Sequence, residues 1–171
     1  IRMIQISAAV LMWLLVVCLL PGMRLRRDHS ILIAAITIAV AMTLNIDQLY
    51  MSLDALFAAR NYVDLLANVS LVVGIYFLSR AIIRAATSDE KSERKDTRGT
   101  VLLGVVIVGL MLSFSFVNTQ GSSNRFMLDY GDQTPAAVYS AIQFVYIGYV
   151  VSVTGITCFR FRADMSRPYY R

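Results

Sequence analysis

Five long apolar stretches, each followed by a short polar interval, occupy residues 3–20, 31–50, 61–85, 100–117 and 136–159. A helix needs about 20 apolar residues to cross a hydrocarbon core about 30 Å thick. Four of the stretches approach or exceed that length without a break. The second is apolar only from Ile31 to Leu44, so its helix is expected to run on to about Tyr50, carrying Asn45 and Asp47 into the headgroup zone. Residues 51–59 then read as a short amphipathic connection. Pro21-Gly22 stops the first helix. Arg24, Arg26 and Arg27 follow that stretch instead of preceding it, and no small-x-small cleavage site follows Leu20, so it reads as a retained span and not a signal peptide. The pattern predicts an all-α integral membrane protein, a single bundle of five transmembrane helices over residues 1–171.

Two connections differ in character. Residues 87–100 (TSDEKSERKDTRGT) mix charges with no apolar side chain and are expected to be solvated and mobile. Residues 118–135 (NTQGSSNRFMLDYGDQTP) are turn-rich but offer Phe126, Met127 and Tyr130 as anchors, so this loop is expected to pack on the bundle mouth.

Charge fixes the orientation. Thirteen Lys and Arg fall in the 21–30 loop, the stretch from Arg80 to Arg98 and the C-terminal tail, against Arg2, Arg60 and Arg125 on the other side. The richer side is cytoplasmic by the positive-inside rule, which puts the N-terminus out and the C-terminus in. Location in a cell membrane, most simply a bacterial cytoplasmic membrane, follows from this reading. With 57% hydrophobic and 16% charged residues, the chain leaves no room for a separate soluble domain. The net charge of +5 sits in short loops, which points to lipid headgroups and away from nucleic acid.

The chemistry is defined first by absences. The sole histidine, His29, lies in an inner loop, no Lys lies within a span, and there is no phosphate-binding Gly loop. Haem ligation by two histidines, a retinal-type Schiff base and a serine triad are therefore excluded within this chain. Neither an enzyme nor a cofactor is expected, and no metal site. Cys18 and Cys158 read as free thiols.

What stands out is a polar stripe at the outer end. Asn61, Asp64 and Asn68 recur at i, i+3 and i+7 on one helical face, and Asp47 and Asp54 lie just before them, with Arg60 as the cation available for pairing. Ionisable residues in spans are costly and normally face a bundle interior or a wet cavity. Asp47, Asn61, Asp64 and Asn68 are therefore the candidate ligand-binding residues, for a cation or polar solute; the competing reading makes them headgroup-level caps and an interhelical hydrogen bond. A second pattern is of small residues. Gly109 and Ser113 pair on the fourth helix, and Ala137, Ala141, Gly148, Ser152 and Gly155 share a face of the fifth. Such faces let helix backbones approach, within the chain, with a membrane-protein partner or in a homo-oligomer. Arg80 and Arg84 are expected to snorkel to inner headgroups. Tyr50, Tyr62, Phe116 and Tyr139 fit an outer aromatic belt, and Phe159, Phe161, Tyr169 and Tyr170 an inner one.

Thr43-Leu44-Asn45-Ile46 and Asn61-Tyr62-Val63-Asp64-Leu65-Leu66-Ala67-Asn68 resemble the membrane region of an actinobacterial family of multi-span proteins classed as transporters. The resemblance implies further helices and a cytosolic C-terminal domain, so the chain would be either a short relative or the N-terminal part of a longer protein. It implies no substrate. The expectation is a non-enzymatic membrane module, a transporter or the membrane domain of a sensor; the alternative is a structural or accessory subunit of a larger membrane complex.

Overall fold

The computed structural model describes residues 2–24, 29–57, 60–86, 92–119, 121, 123 and 125–164, and within them every regular element is helical. The helices are α1 (Arg2–Leu19), α2 (Ser30–Leu44), α3 (Asp47–Leu56), α4 (Tyr62–Ala86), α5 (Ser92–Ser115), α6 (Phe126–Tyr130) and α7 (Thr134–Asp164), with a 3-10 turn at Leu20–Arg24 closing α1. α1, α4, α5 and α7 are long and apolar enough to cross a membrane, and α2 with α3 passes the same test as a bent pair.

The bend corrects the expected second span. α2 ends at Leu44, and α3 leaves it at 87° instead of continuing to Tyr50. Local chemistry explains the break. Both the backbone amide and the side-chain amide of Asn45 donate to the carbonyl oxygen of Ala41, at 3.2 and 2.9 Å, occupying an acceptor that the helix end leaves open. Ile46 is extended, and Asp47 stands in the first turn of α3, where a carboxylate favours the positive end of the helix dipole. Residues 51–56, expected as a connection, are the second half of this helix. The charged stretch also departs from expectation, since α5 begins at Ser92 and carries regular helix through residues 92–100. Residues 87–91, and Tyr169 and Tyr170 of the expected inner belt, lie outside the described residues.

The helices pack as a row that ends in a triangle. α1 lies on α2, α2 on α4, and α4, α5 and α7 pack mutually around the main core. The α2–α4 contact is built on small residues of α4. On α2, Thr37 and Ile38 lie against Gly74, and Val40 and Leu44 pack with Val63 and Ala67, while Ala35 and Ala39 pack with Val16 of α1; on α4, Ala67, Gly74 and Ala81 recur every seven residues along the buried face. The main core is aromatic at one end: Phe114 stacks on Phe126 at 5.8 Å between ring centroids, and Tyr139 meets Phe126 edge-on at 5.6 Å. Phe126 brings the 118–135 loop into this core, as expected of an anchor, and Tyr130 packs partly beside it. Met127, by contrast, stays largely exposed, although its sulfur accepts the Ser140 hydroxyl at 2.6 Å. Outside these contacts the long helices present large apolar side chains outward, among them Val101, Val105 and Leu112 of α5 and Phe144, Val145 and Val151 of α7. A water-soluble monomer rarely exposes apolar surface of this extent.

Candidate functional site

The stripe on α4 becomes a hydrogen-bonded cluster between α4 and α7. Asp64 and Asn68 are one helical turn apart, so their side chains meet; the Asn68 amide donates to Asp64 Oδ2 at 2.9 Å. On α7, Tyr139 and Gln143 have the same spacing and face them. The Tyr139 hydroxyl donates to Asp64 Oδ2 at 3.1 Å and stands 2.9 Å from the Asn68 amide nitrogen, which donates to it. Gln143 Nε2 donates to Asn68 Oδ1 at 2.9 Å. The donors to Asp64 are thus neutral, an amide and a phenol. At 1.5 Å per residue, Asn68 lies about 9 Å along the helix from its start, so the cluster descends from the helix end into the apolar span.

A second node holds the mouth above it. Asn61 is fully buried and has a φ of 60°, the one positive φ at a non-glycine position among the described residues. Asparagine tolerates the left-handed region better than most L residues. That conformation places Asn61 just before α4 with its side chain turned into the loops. Its Oδ1 accepts the Tyr50 hydroxyl at 2.9 Å and the Ser123 amide at 2.6 Å, while its Nδ2 donates to the Gly121 carbonyl at 2.7 Å. Tyr130 donates to the same carbonyl, and Ser123 donates to Asp129. Asp54 is fully buried too, and caps α4 by accepting the amides of Asn61 at 3.0 Å and Val63 at 3.4 Å. A carboxylate at that position satisfies two open N–H groups and favours the helix dipole. At the loop's ends, the Asn118 amide donates to Gln133 Oε1 at 2.9 Å and Gln133 Nε2 donates back to the Asn118 carbonyl at 3.1 Å. That pair ties the two ends of the loop to each other, and Asn61 ties Gly121 and Ser123 of the loop to the start of α4.

The candidate residues therefore separate into groups. Asp64 and Asn68 come together in the cluster. Asn61 shares their face by count, yet it belongs to the loop clasp. Asp47 lies apart from both, where Gln5 of α1 donates to its Oδ1 at 3.5 Å, and Arg60 is exposed while Asp54 is engaged by backbone amides. Tyr50 and Tyr139, expected in an outer belt, are instead buried at 2% and 1% exposure because their hydroxyls reach Asn61 and Asp64. Tyr62 and Phe116 remain exposed, as a belt requires. Sequence reading missed Gln143, although a glutamine within an apolar span one turn from a tyrosine is a usable signal.

Of the small residues, Gly109 faces α7, where a Cβ would meet Ile142 Cδ1 at an ordinary 3.4 Å, and Ser113 is partly buried one turn away. Gly148, Ser152 and Gly155 are exposed, and a Cβ on either glycine would meet no atom within 4 Å. Among the described glycines, the tightest approach between two long helices is at Gly74, where a Cβ would lie 2.5 Å from Ile38 Cγ1. Among the described residues, no group of three His, Cys, Asp or Glu is arranged to hold a metal ion.

The chain matches no family model, no curated protein and no solved structure.

Proposed function

We propose that the chain is a multi-pass, non-enzymatic module of a cell membrane, of transporter or sensor type, with its N-terminus outside and its C-terminus in the cytoplasm. Its working part is the Asp64 cluster, opened to the outside when the clasped loop lifts, and its ligand is a proton or a small cation. One observation carries this reading: a carboxylate on an apolar helix is held by neutral donors from two helices, Asn68 and Tyr139. The ionised carboxylate accepts both bonds at one oxygen. Protonation at the other carboxylate oxygen, or a cation bound there, lowers the negative charge on Oδ2, so the hydrogen bonds from Asn68 and Tyr139 weaken and the contact between α4 and α7 loosens. A chemical event at one side chain thereby becomes a helix movement. The likeness to the transporter family agrees with this reading.

Thermal stability in detergent tests the proposal. The parent is expected to change stability with pH and with sodium or potassium concentration, and Asp64→Asn to lose that dependence while remaining folded. Parallel pH profiles would reduce Asp64 to a structural residue.

The orientation has its own test. With an impermeant thiol reagent in a background lacking the native cysteines, Asp132→Cys is expected to label in intact cells, and Ala85→Cys only after permeabilisation. Both positions are exposed on the protein surface. The opposite pattern would invert the topology.

A different observation favours the accessory-subunit alternative. Ala137, Ala141, Gly148, Ser152 and Gly155 form an exposed small-residue face on α7, the kind of surface on which a second helix packs. Gly148→Leu separates the readings. It should shift the particle size in mild detergent only if that face is occupied by a partner or a second copy.

A further inference from the structure

α2 is too short to carry α3 clear of a membrane. Its 15 residues rise about 22 Å at 1.5 Å each, against a hydrocarbon core about 30 Å thick. Tilt would shorten that reach further. The 87° bend then turns the chain aside at that depth instead of letting it climb. α2 follows Arg24, Arg26 and Arg27, which mark the inner headgroup level. Counted from there, the bend falls about 8 Å beneath the outer boundary, inside the range of about 5–10 Å at which interfacial helices seat their apolar faces.

The side chains of α3 are sorted for that position. Tyr50 and Asp54, one turn apart, form its buried face. Both are fastened, since the Tyr50 hydroxyl donates to Asn61 Oδ1 at 2.9 Å and Asp54 Oδ2 accepts the Asn61 amide at 3.0 Å. Rolling α3 about its axis would break these bonds, so its other faces have fixed directions. Gln48 and Ser52 share the opposite face and are exposed. Between the two faces runs a stripe of Leu49, Leu53 and Leu56, spaced i, i+4 and i+7. Leu53 shows which way the stripe points: it packs against the cluster of Leu44, Tyr50, Val63 and Ala67, whose α2 and α4 members lie on the span side of the bend. Leu56 ends the stripe at 79% exposure.

We infer that α3 is an interfacial helix, held in the outer leaflet by phospholipid acyl chains packed against its leucine stripe. The occupant is lipid because the stripe continues, through Leu53, the apolar surface of the spans, at a depth that a water-soluble partner does not reach. α3 contains no Lys or Arg, so its attachment follows apolar area and needs no anionic headgroup. Through Asn61 and Asp54 this helix is joined to the first turn of α4, and the outer leaflet thereby bears on the end of the span that carries Asp64. The inference rests on the multi-pass membrane reading and is independent of what Asp64 binds.

The test uses the chain in vesicles of phosphatidylcholine brominated at the sixth and seventh or at the eleventh and twelfth acyl carbons, which quench tryptophan at shallow or deep positions. The single tryptophan, Trp13, lies about 16 Å along α1 from its start, so the deep bromines are expected to quench it most. With Trp13 replaced by Phe, Leu56→Trp is expected to be quenched more by shallow bromines than by deep ones. It should also be quenched more than Ser52→Trp, which iodide in the buffer should reach instead. Phe57→Trp, a conservative change at an exposed position, repeats the measurement, and thermal unfolding in detergent checks the fold of each variant. Equal bromine quenching at positions 52 and 56, or a Leu56→Trp emission reached by iodide alone, would place α3 in water and overturn the inference. Emission quenched by neither lipid nor iodide would mean that protein covers the stripe, and would refute it as well. A parent Trp13 that no bromine quenches would sink the membrane reading itself; with Trp13 quenched, failure at position 56 counts against α3 alone.

Discussion

Replacing Gly74 with leucine is expected to lower the stability of the bundle by about 3 kcal/mol, the upper part of the usual range for overpacking. A Cβ at this position would lie 2.5 Å from Ile38 Cγ1, 2.9 Å from Thr37 Oγ1 and 3.3 Å from the Ile38 backbone nitrogen. Two of these atoms sit close to the α2 backbone and the third belongs to it, so no distal rotamer change relieves the clash. The helices must separate. Separation would strip the contacts of Thr37, Ile38, Val40 and Leu44 with Val63, Ala67 and Gly74, where dispersion between close helices replaces the hydrophobic effect that lipid does not supply. Even Gly74→Ala should be measurably destabilising. Gly148→Leu serves as the control, since it adds the same side chain where a Cβ meets open space. Thermal unfolding in mild detergent checks the pair. Equal losses would mean that α2 and α4 are not in the close register described.

Asn61→Ala is expected to cost about 4 kcal/mol and Asn61→Gly about 3. Three side-chain hydrogen bonds, to Tyr50, Ser123 and Gly121, disappear in both variants. Each is worth about 1 kcal/mol net, more where the abandoned partner stays buried. The difference of about 1 kcal/mol comes from the backbone, because alanine resists the φ of 60° that glycine accepts. The readout is local as well as global. With the clasp lost, trypsin should cut after the exposed Arg125 much faster in both variants than in the parent. Unchanged cleavage would show that the loop is held by Phe126 and Tyr130 without help from Asn61.

These two positions also show where sequence reasoning reaches and where it stops. The helices were legible because apolar runs of span length have few alternatives. The break after Leu44 was legible too, in an asparagine suited to a helix end and an aspartate suited to the next helix start. The shortfall in apolar length argues instead for a helix continued to about Tyr50, and the structure follows the asparagine and the aspartate. Small residues were recognised on α5 and α7, yet the tight contact is on α2 and α4, since spacing defines a face without saying what covers it. The i, i+3, i+7 spacing of Asn61, Asp64 and Asn68 correctly joined the last two. It misjudged the first, because Asn61 precedes the helix and leaves its periodicity. Tyr139 was assigned to a belt by its position near a helix end. What draws it inward is a contact 75 residues away in sequence, between its hydroxyl and Asp64, together with the rings of Phe114 and Phe126. Long-range pairing of that kind leaves no local pattern to read.

The central claim is that Asp64 gains and loses a proton or cation within the cluster and thereby changes the contact between α4 and α7. Infrared difference spectroscopy of the protein in lipid, between acidic and alkaline buffer, addresses it directly by observing the carboxyl group itself. A protonated-carboxyl carbonyl band is predicted to appear and vanish with pH in the parent, to be absent from Asp64→Asn, and to shift in Tyr139→Phe as one of its hydrogen bonds is removed. The same bands in the parent and in Asp64→Asn would contradict the account.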